Sequence, residues 1–256
     1  MRVTTWNVNS LRVRLEQVVT WSEQAMPDVL CLQETKVTDD KFPTAALEAA
    51  GFVHQAFWGQ KTYNGVAILS RYPLTDVKIG FQSSEADPQA RLIRATVQGV
   101  RIYCCYVPNG SKPGSIKFRY KLAWLRKLRK ELDGEGGADQ QILVCGDFNI
   151  APTDEDVWDP FEAIDEILFH PLEHKTLKHV TSYGLTDALR VVHPIGQHFS
   201  WWDFRGGGFQ RNRGYRIDHH WVTDSVAKRI VAVETHRDVR GWERPSDHVP
   251  VVAVLD

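Results

Sequence analysis

Ile142-Leu143-Val144-Cys145-Gly146-Asp147-Phe148-Asn149-Ile150-Ala151-Pro152-Thr153-Asp154 is an unbroken apolar run that turns abruptly into Gly-Asp, an Asn and a Pro. A short apolar run without alternation, closed by turn residues, is the pattern of a strand buried on both faces. Similar β-branched runs stand at 3–6, 29–32, 65–69, 93–97, 102–107, 217–222 and 249–255, each bounded by Gly, Pro, Asn or Asp. Helical patterns lie between some of them. In 115–132 a stripe of Phe118, Leu122, Leu125, Leu128 and Leu132 recurs at helical spacing, with Ser115 placed to cap it and Gly134 to end it. A second helix follows Ser10 with Leu11, Leu15, Val18 and Val19 inward, and a third follows Pro171 with Leu172, Leu177 and Val180 inward. Strands outnumber helices, and helices occur between strands in both halves. The expected fold is therefore α/β, with two sheets face to face and helices outside. No linker-like stretch divides the chain, so residues 1–256 are expected to form one domain.

Composition sets limits. With 43% hydrophobic and 25% charged residues the chain can bury a sizeable core, which excludes a disordered protein. The four cysteines, Cys31, Cys104, Cys105 and Cys145, all fall inside apolar runs. They read as buried thiols of a reducing compartment, without disulfide or zinc spacing. No apolar run approaches the ~18 residues of a membrane span, and the chain opens on a strand-like MRVTTW rather than a signal peptide. A soluble, cytoplasmic protein is expected. The net charge of −1 gives no global sign of nucleic-acid binding, although 112–130 and 205–216 are locally basic. Taken alone, those two stretches read as a solvated helix face and a charged loop. Nine Trp place some rings at the surface, where they can stack on a ligand.

The chemistry lies where the strands end. The first strand runs into Asn7 and Asn9, the second into Gln33 and Glu34, and the quoted one into Asp147 and Asn149. Ser246-Asp247-His248 precedes the last strand. If that strand is antiparallel to the others, carboxylates, amides and one His converge on a single rim. Glu34 and Asp247 are hard oxygen donors suited to Mg²⁺, Asp147 is placed to take a proton from water, and Asn7 and Asn149 are neutral donors for phosphate oxygens. A nucleophilic-serine turn and a phosphate-binding glycine loop are both missing.

The runs TTWNVNSLRVR, DVLCLQETKV, NGVAILSR, GDFNIAPTD, SWWDFR, GYRIDHHWV and PSDHVPV follow one another from end to end of the chain. In this order the sequence resembles the exonuclease III / abasic-site endonuclease family, within the wider endonuclease/exonuclease/phosphatase superfamily. The resemblance implies a four-layered α/β sandwich with two mixed sheets, and a Mg²⁺-dependent DNA-repair phosphodiesterase in which Mn²⁺ can substitute. Its substrate would be double-stranded DNA with 3′ ends, nicks or abasic sites, bound by a monomer.

By the same resemblance the metal site comprises Glu34, the main ligand, with Asp247 close to the ion, and Asn7, Asp147 and Asn149. Asp147 is the base, His248 held by Asp218 stabilises the transition state, and Asn7, Asn149 and Tyr106 hold the scissile phosphate. Trp201, Tyr215 and Ile217 match a small apolar pocket, while Arg205, Arg213, Asn109 and Lys112 lie in DNA-gripping loops. The chain departs from the family pattern at 154–167 and at Leu168-Phe169-His170-Pro171-Leu172-Glu173-His174. The bulk of His170 in the pocket region, where the family has a small residue, leads to the expectation that 3′-exonuclease and 3′-phosphatase work is favoured and abasic-site incision weak. A full abasic-site endonuclease is the alternative. A lipid- or inositol-phosphate phosphatase would lack the aromatic pocket and the arginine loop, and a binding-only relative would lack Glu34, Asp147 or His248.

Overall fold

The buried apolar runs pair into two sheets because each offers both faces to a core. A computed structural model describes residues 1–82 and 87–256. The chain begins with β1 (Arg2–Asn7), α1 (Leu11–Ala25), β2 (Val29–Gln33), α2 (Thr44–Ala49), β3 (His54–Trp58) and β4 (Val66–Ser70). It then crosses to a second sheet with β5 (Thr75–Ile79), β6 (Leu92–Val97), β7 (Val100–Tyr106), α3 (Ile116–Asp133) and β8 (Ile142–Asp147). Short helix α4 (Pro160–Ala163), α5 (Pro171–Thr181), β9 (Leu185–Asp187) and α6 (Ala188–Val192) come next. They are followed by the ribbon β10 (Trp201–Trp202) and β11 (Gly214–Tyr215), then β12 (Asp218–Thr223) and α7 (Asp224–Ala227). The chain returns to the first sheet as β13 (Ile230–Thr235) and β14 (Val251–Leu255).

The sheets have orders β13-β14-β1-β2-β4-β3 and β5-β6-β7-β8-β12-β9. Each is mixed, with one parallel pair at its centre, β1 with β2 and β7 with β8. Alternation sorts the side chains into layers. Val3, Cys31, Ile68, Ile102, Cys104, Leu143, Cys145 and Val222 fill the space between the sheets. Leu30, Leu32, Leu69 and Val252 face outward onto Leu11, Val18 and Trp21 of α1. Tyr103, Cys105, Val144 and Trp221 face the opposite way, onto Leu125, Leu128 and Leu132 of α3 and Leu177 and Val180 of α5. The result is the four-layered sandwich with helices on both outer faces.

Three helix expectations meet the structure differently. In α3 all five stripe residues are buried, Ser115 Oγ accepts from Phe118 N, and Gly134 follows as the C-cap. In α1, Leu11 and Val18 are buried while Leu15 and Val19 are only half-buried. In α5, Leu172 is a correction: it is 47% exposed. Pro171 opens the helix at its first position, which turns the buried face to Glu173, Thr176, Leu177 and Val180 and Leu172 away from it. All four cysteines are free and buried, and no described helix is long and apolar enough to cross a membrane.

Candidate active site

Strand register brings the site together. In the second sheet Tyr106 pairs with Asp147 and Asp147 with Asp218, so three functional side chains lie side by side at one edge. Gly146 has to precede Asp147, because its φ of +143° and a Cβ placed only 1.9 Å from the Cys105 carbonyl oxygen exclude a side chain. In the first sheet β14 runs antiparallel to β1, which puts the residues before it at the edge where β1 ends. Ser246 Oγ donates to the Asn7 carbonyl at 2.7 Å, and Trp6 Nε1 donates to the His248 carbonyl at 3.3 Å. Asn7 Nδ2 donates to Glu34 Oε1 of its own sheet and, across the gap between sheets, to Asp147 Oδ2, each at 2.9 Å. A single rim results.

Asp147 is fully lodged in donors. Its Oδ1 accepts from Asn149 N at 2.8 Å, and its Oδ2 accepts from Asn7 Nδ2 and from Asn149 Nδ2 at 3.2 Å. Burial raises its carboxyl, the His248 ring pulls against that rise, and Asp218 adds to it. The net shift is upward. His248 Nδ1 donates to Asp218 Oδ2 at 2.9 Å, and its Nε2 lies 3.7 Å from Asp147 Oδ2. Burial alone would lower the imidazole, but Asp218 and Asp147 outweigh it and hold the ring well above its ordinary range. Ser200 Oγ fixes Asp218 from behind at 2.6 Å. The site thus sets a carboxyl of raised proton affinity beside an imidazolium, an arrangement able to accept one proton and to donate another. Tyr106 keeps its phenol proton, since burial and then the Glu34 and Asp147 charges push it up.

Glu34 sits in a left-handed conformation (φ 52°) at the turn after β2. Burial would raise it, but Lys36 Nζ at 2.8 Å and the Asn7 bond reverse the direction and keep it ionised. Asp247 is likewise held below its usual range: burial raises it, while His248, Trp201 Nε1 at 2.9 Å and Asn9 Nδ2 at 3.0 Å lower it. Both are ionised hard-oxygen donors, which suits a hard divalent cation. Asp147, Asp218 and His248 also hold one ligand atom each within 4.8 Å of one another, a spacing that fits an ion. In that trio both imidazole nitrogens already face carboxylates. The amide oxygens of Asn7 and Asn149 accept from Asn9 N and Asn109 Nδ2, each at 3.0 Å, so these side chains bracket the rim within the protein.

A pocket of about 680 Å³ opens at this rim. Of the residues expected from sequence, Glu34, Tyr106, Asn109, Asp147, Asn149, Asp247 and His248 line its polar side, and Trp201, Tyr215, Ile217, Arg205 and Arg213 its other walls. Asn7 and Asp218 stand behind. Trp201 and Tyr215 pair across the ribbon with rings 5.7 Å apart, edge to face, while Ile217 is buried beneath them. Arg205 is 90% exposed beside Asp203. Lys112 is exposed and lies outside the lining.

His170 also lies outside the lining. It is the N-cap of α5, with Nδ1 accepting from Leu172 N at 3.1 Å and the ring edge-on to Phe118 at 5.1 Å. The pocket wall before it is made by Ile167 and Leu168.

Sequence reasoning missed several supports. Trp158 lines the pocket and carries Arg213 over its ring at 4.6 Å. Lys121 lies on the basic stretch read as a solvated face, yet it is fully buried. Its Nζ donates to the carbonyls of Asn149 at 2.6 Å and Asn109 at 3.1 Å and pairs with Glu173. Glu173 in turn accepts from His170 N at 3.1 Å, so one ion pair braces two site loops against α5. Arg216, from the other basic stretch, is buried between Asp156 and Asp187 at 2.7 Å from each. Glu173 at three residues past a cap position was the only hint in the sequence of an inward charge there.

The profile of the Endonuclease/Exonuclease/phosphatase family matches residues 4–248. Exodeoxyribonuclease III of Haemophilus influenzae is 36% identical, with 99% of each chain covered. Among solved structures, a 3′ phosphatase from Neisseria bound to a product DNA hairpin superposes with a TM-score of 0.96 at 44% identity, covering 100% of this chain and 99% of that one. An AP endonuclease from Archaeoglobus fulgidus gives 0.95 at 38% identity, with coverage of 100% and 99%.

Proposed function

The chain belongs to the Endonuclease/Exonuclease/phosphatase family, and we propose from that membership that it is a Mg²⁺-dependent DNA-repair phosphodiesterase acting on duplex DNA at 3′ ends, nicks and abasic sites. The observation that carries this reading is the meeting of ionised Glu34, donor-lodged Asp147 and Asp218-backed His248 at the mouth of one aromatic-walled pocket. We take residues 1–256 as one domain acting as a monomer in the cytoplasm, in line with its four free buried thiols.

Asp147 accepts the proton of the attacking water, oriented by its three amide donors. His248 donates through Nε2 to a phosphoryl oxygen as charge grows on it, with Asp218 holding the ring from behind. Tyr106, Asn109 and Asn149 border the place where the phosphate sits. Glu34 and Asp247 would hold Mg²⁺, with Mn²⁺ as a substitute, and the ion supplies positive charge to the phosphoryl and leaving oxygens. Trp201 and Tyr215 wall the space for a sugar or frayed terminal nucleotide, and Arg205, Arg213 and Lys112 meet backbone phosphates. EDTA is expected to abolish release of nucleotides and phosphate from nicked duplex DNA, and Mg²⁺ or Mn²⁺ to restore it. Full activity in EDTA would remove the metal from the reading.

We infer further that 3′-end processing outweighs incision at internal abasic sites. Between Trp158 and Leu168, both of which line the pocket, the chain carries Asp159, Glu162, Asp165 and Glu166 and no Lys or Arg. The last three are exposed. A strand continuing past an internal lesion would bring phosphates against these carboxylates, whereas a recessed 3′ end brings none. Asp165→Asn with Glu166→Gln is therefore expected to raise abasic incision relative to 3′ trimming on matched duplexes. An unchanged ratio in that variant, or a wild type that incises as fast as it trims, would overturn the preference.

A further inference from the structure

The Asp218 carboxylate is used on one side only. Its Oδ2 accepts from Ser200 Oγ and His248 Nδ1, while its buried Oδ1 has no hydrogen-bond partner. Two residues along β12, on the same face, His220 is buried at 2% exposure with neither ring nitrogen partnered. The Val3 carbonyl of the facing sheet influences the ring without meeting a nitrogen in hydrogen-bond geometry. Burial pushes His220 down to about 3, so the ring is neutral and holds one N–H donor and one bare acceptor. An orphaned buried donor or acceptor costs about 1–3 kcal/mol, and here Asp218 Oδ1 and the His220 nitrogen turned away from Val3 belong to two residues that line the same space. That space is a small, largely enclosed cavity of about 10 Å³ bordered also by Arg216, His198 and Thr235 and, on its apolar side, by Leu189, Val233 and Val251. It is the volume of roughly one water molecule, and polar partners are what distinguish a wet cavity from a dry one.

We propose that this cavity is a binding site for a single structural water, which donates one hydrogen bond to Asp218 Oδ1 and forms a second with the His220 ring. His220 is then a positioning residue. Through the water it fixes the second oxygen of Asp218, so that the carboxylate is clamped at both ends and holds His248 in one orientation. The water site stands on geometry alone, whereas its effect on turnover rests on the phosphodiesterase reading given above.

A high-resolution crystal structure tests the site. A density peak within hydrogen-bond distance of both Asp218 Oδ1 and a His220 nitrogen is expected; a dry cavity, or a peak touching neither, overturns it. Steady-state hydrolysis of a 3′-phosphorylated duplex tests the role. His220→Phe should lose the water and lower kcat roughly tenfold, the scale of one supporting contact behind a catalytic group, with KM unchanged. His220→Gln, which restores a donor and an acceptor, should recover most of it. Val233→Leu, filling the cavity from another wall, should reproduce the loss without touching either residue. If His220→Phe and Val233→Leu both retain wild-type kcat, the positioning role is wrong. A wild type that hydrolyses no DNA while still showing the peak would overturn the functional reading and leave the site intact.

Discussion

Asp147→Asn is expected to lower kcat by roughly 10²- to 10⁴-fold, the range that a positioned general base supplies. The amide cannot take the water's proton. It also misfits its own niche, because both Asp147 oxygens accept from amide donors and the new NH₂ must face at least one of them. Stability should not fall in parallel. Burial already holds this carboxyl above its ordinary range, so its charge opposes folding rather than supporting it. Single-turnover hydrolysis beside thermal melting separates the two effects. Retention of full activity would end the assignment of Asp147 as base.

The second large effect concerns stability. Asp156 is buried and accepts from Arg216 Nε at 2.7 Å, Arg190 Nη2 at 2.6 Å and Thr153 Oγ1 at 2.8 Å. Arg216 is shared with Asp187 and with His219 Nδ1 at 3.0 Å. Asp156→Ala leaves the buried Arg216 guanidinium with Asp187 as its one remaining carboxylate and its Nε without an acceptor, and a buried charged group that loses a hydrogen-bonded partner costs about 1–3 kcal/mol. The pH dependence follows from the carboxyl. Burial would raise it, but Arg216 lowers it further, from 3.8 to about 2. A depressed folded-state value means that the contribution is complete above 3.8 and lost as pH falls through about 2. By the free energy of one such shift it amounts to about 2 kcal/mol. Urea unfolding of the wild type should weaken across that window, and Asp156→Asn should flatten the dependence. Equal slopes for the two proteins would show that the pair does not govern acid stability.

The central strands were legible because they are buried on both faces and so read as unbroken apolar runs. β3, β5 and β13 were not. Each lies at the end of its sheet: Thr75–Ile79 is largely exposed and shows no such run, whereas β13 does open on an apolar run, Ile230 to Val233, that the reading passed over. β9 and the β10/β11 ribbon are too short to leave a period. The site was legible at strand ends, where Asn7, Glu34, Asp147 and Asp247 interrupt apolar stretches. Its supports were hidden because Lys121 and Arg216 look like their solvated neighbours in sequence. Only tertiary contact distinguishes a charge turned inward. His170 shows the converse: its position in a divergent motif was readable, but its use as a helix cap depended on Pro171 after it and Phe118 beside it.

Asn7 of one sheet donates to Asp147 of the other, and His248 from the first is gripped by Asp218 from the second. Neither slab owns a working set of groups. A sliding displacement of one slab over the other, too small to expose the core, would part these bonds first. With the roles proposed for these groups, heat or denaturant is expected to silence turnover before any spectroscopic sign of melting.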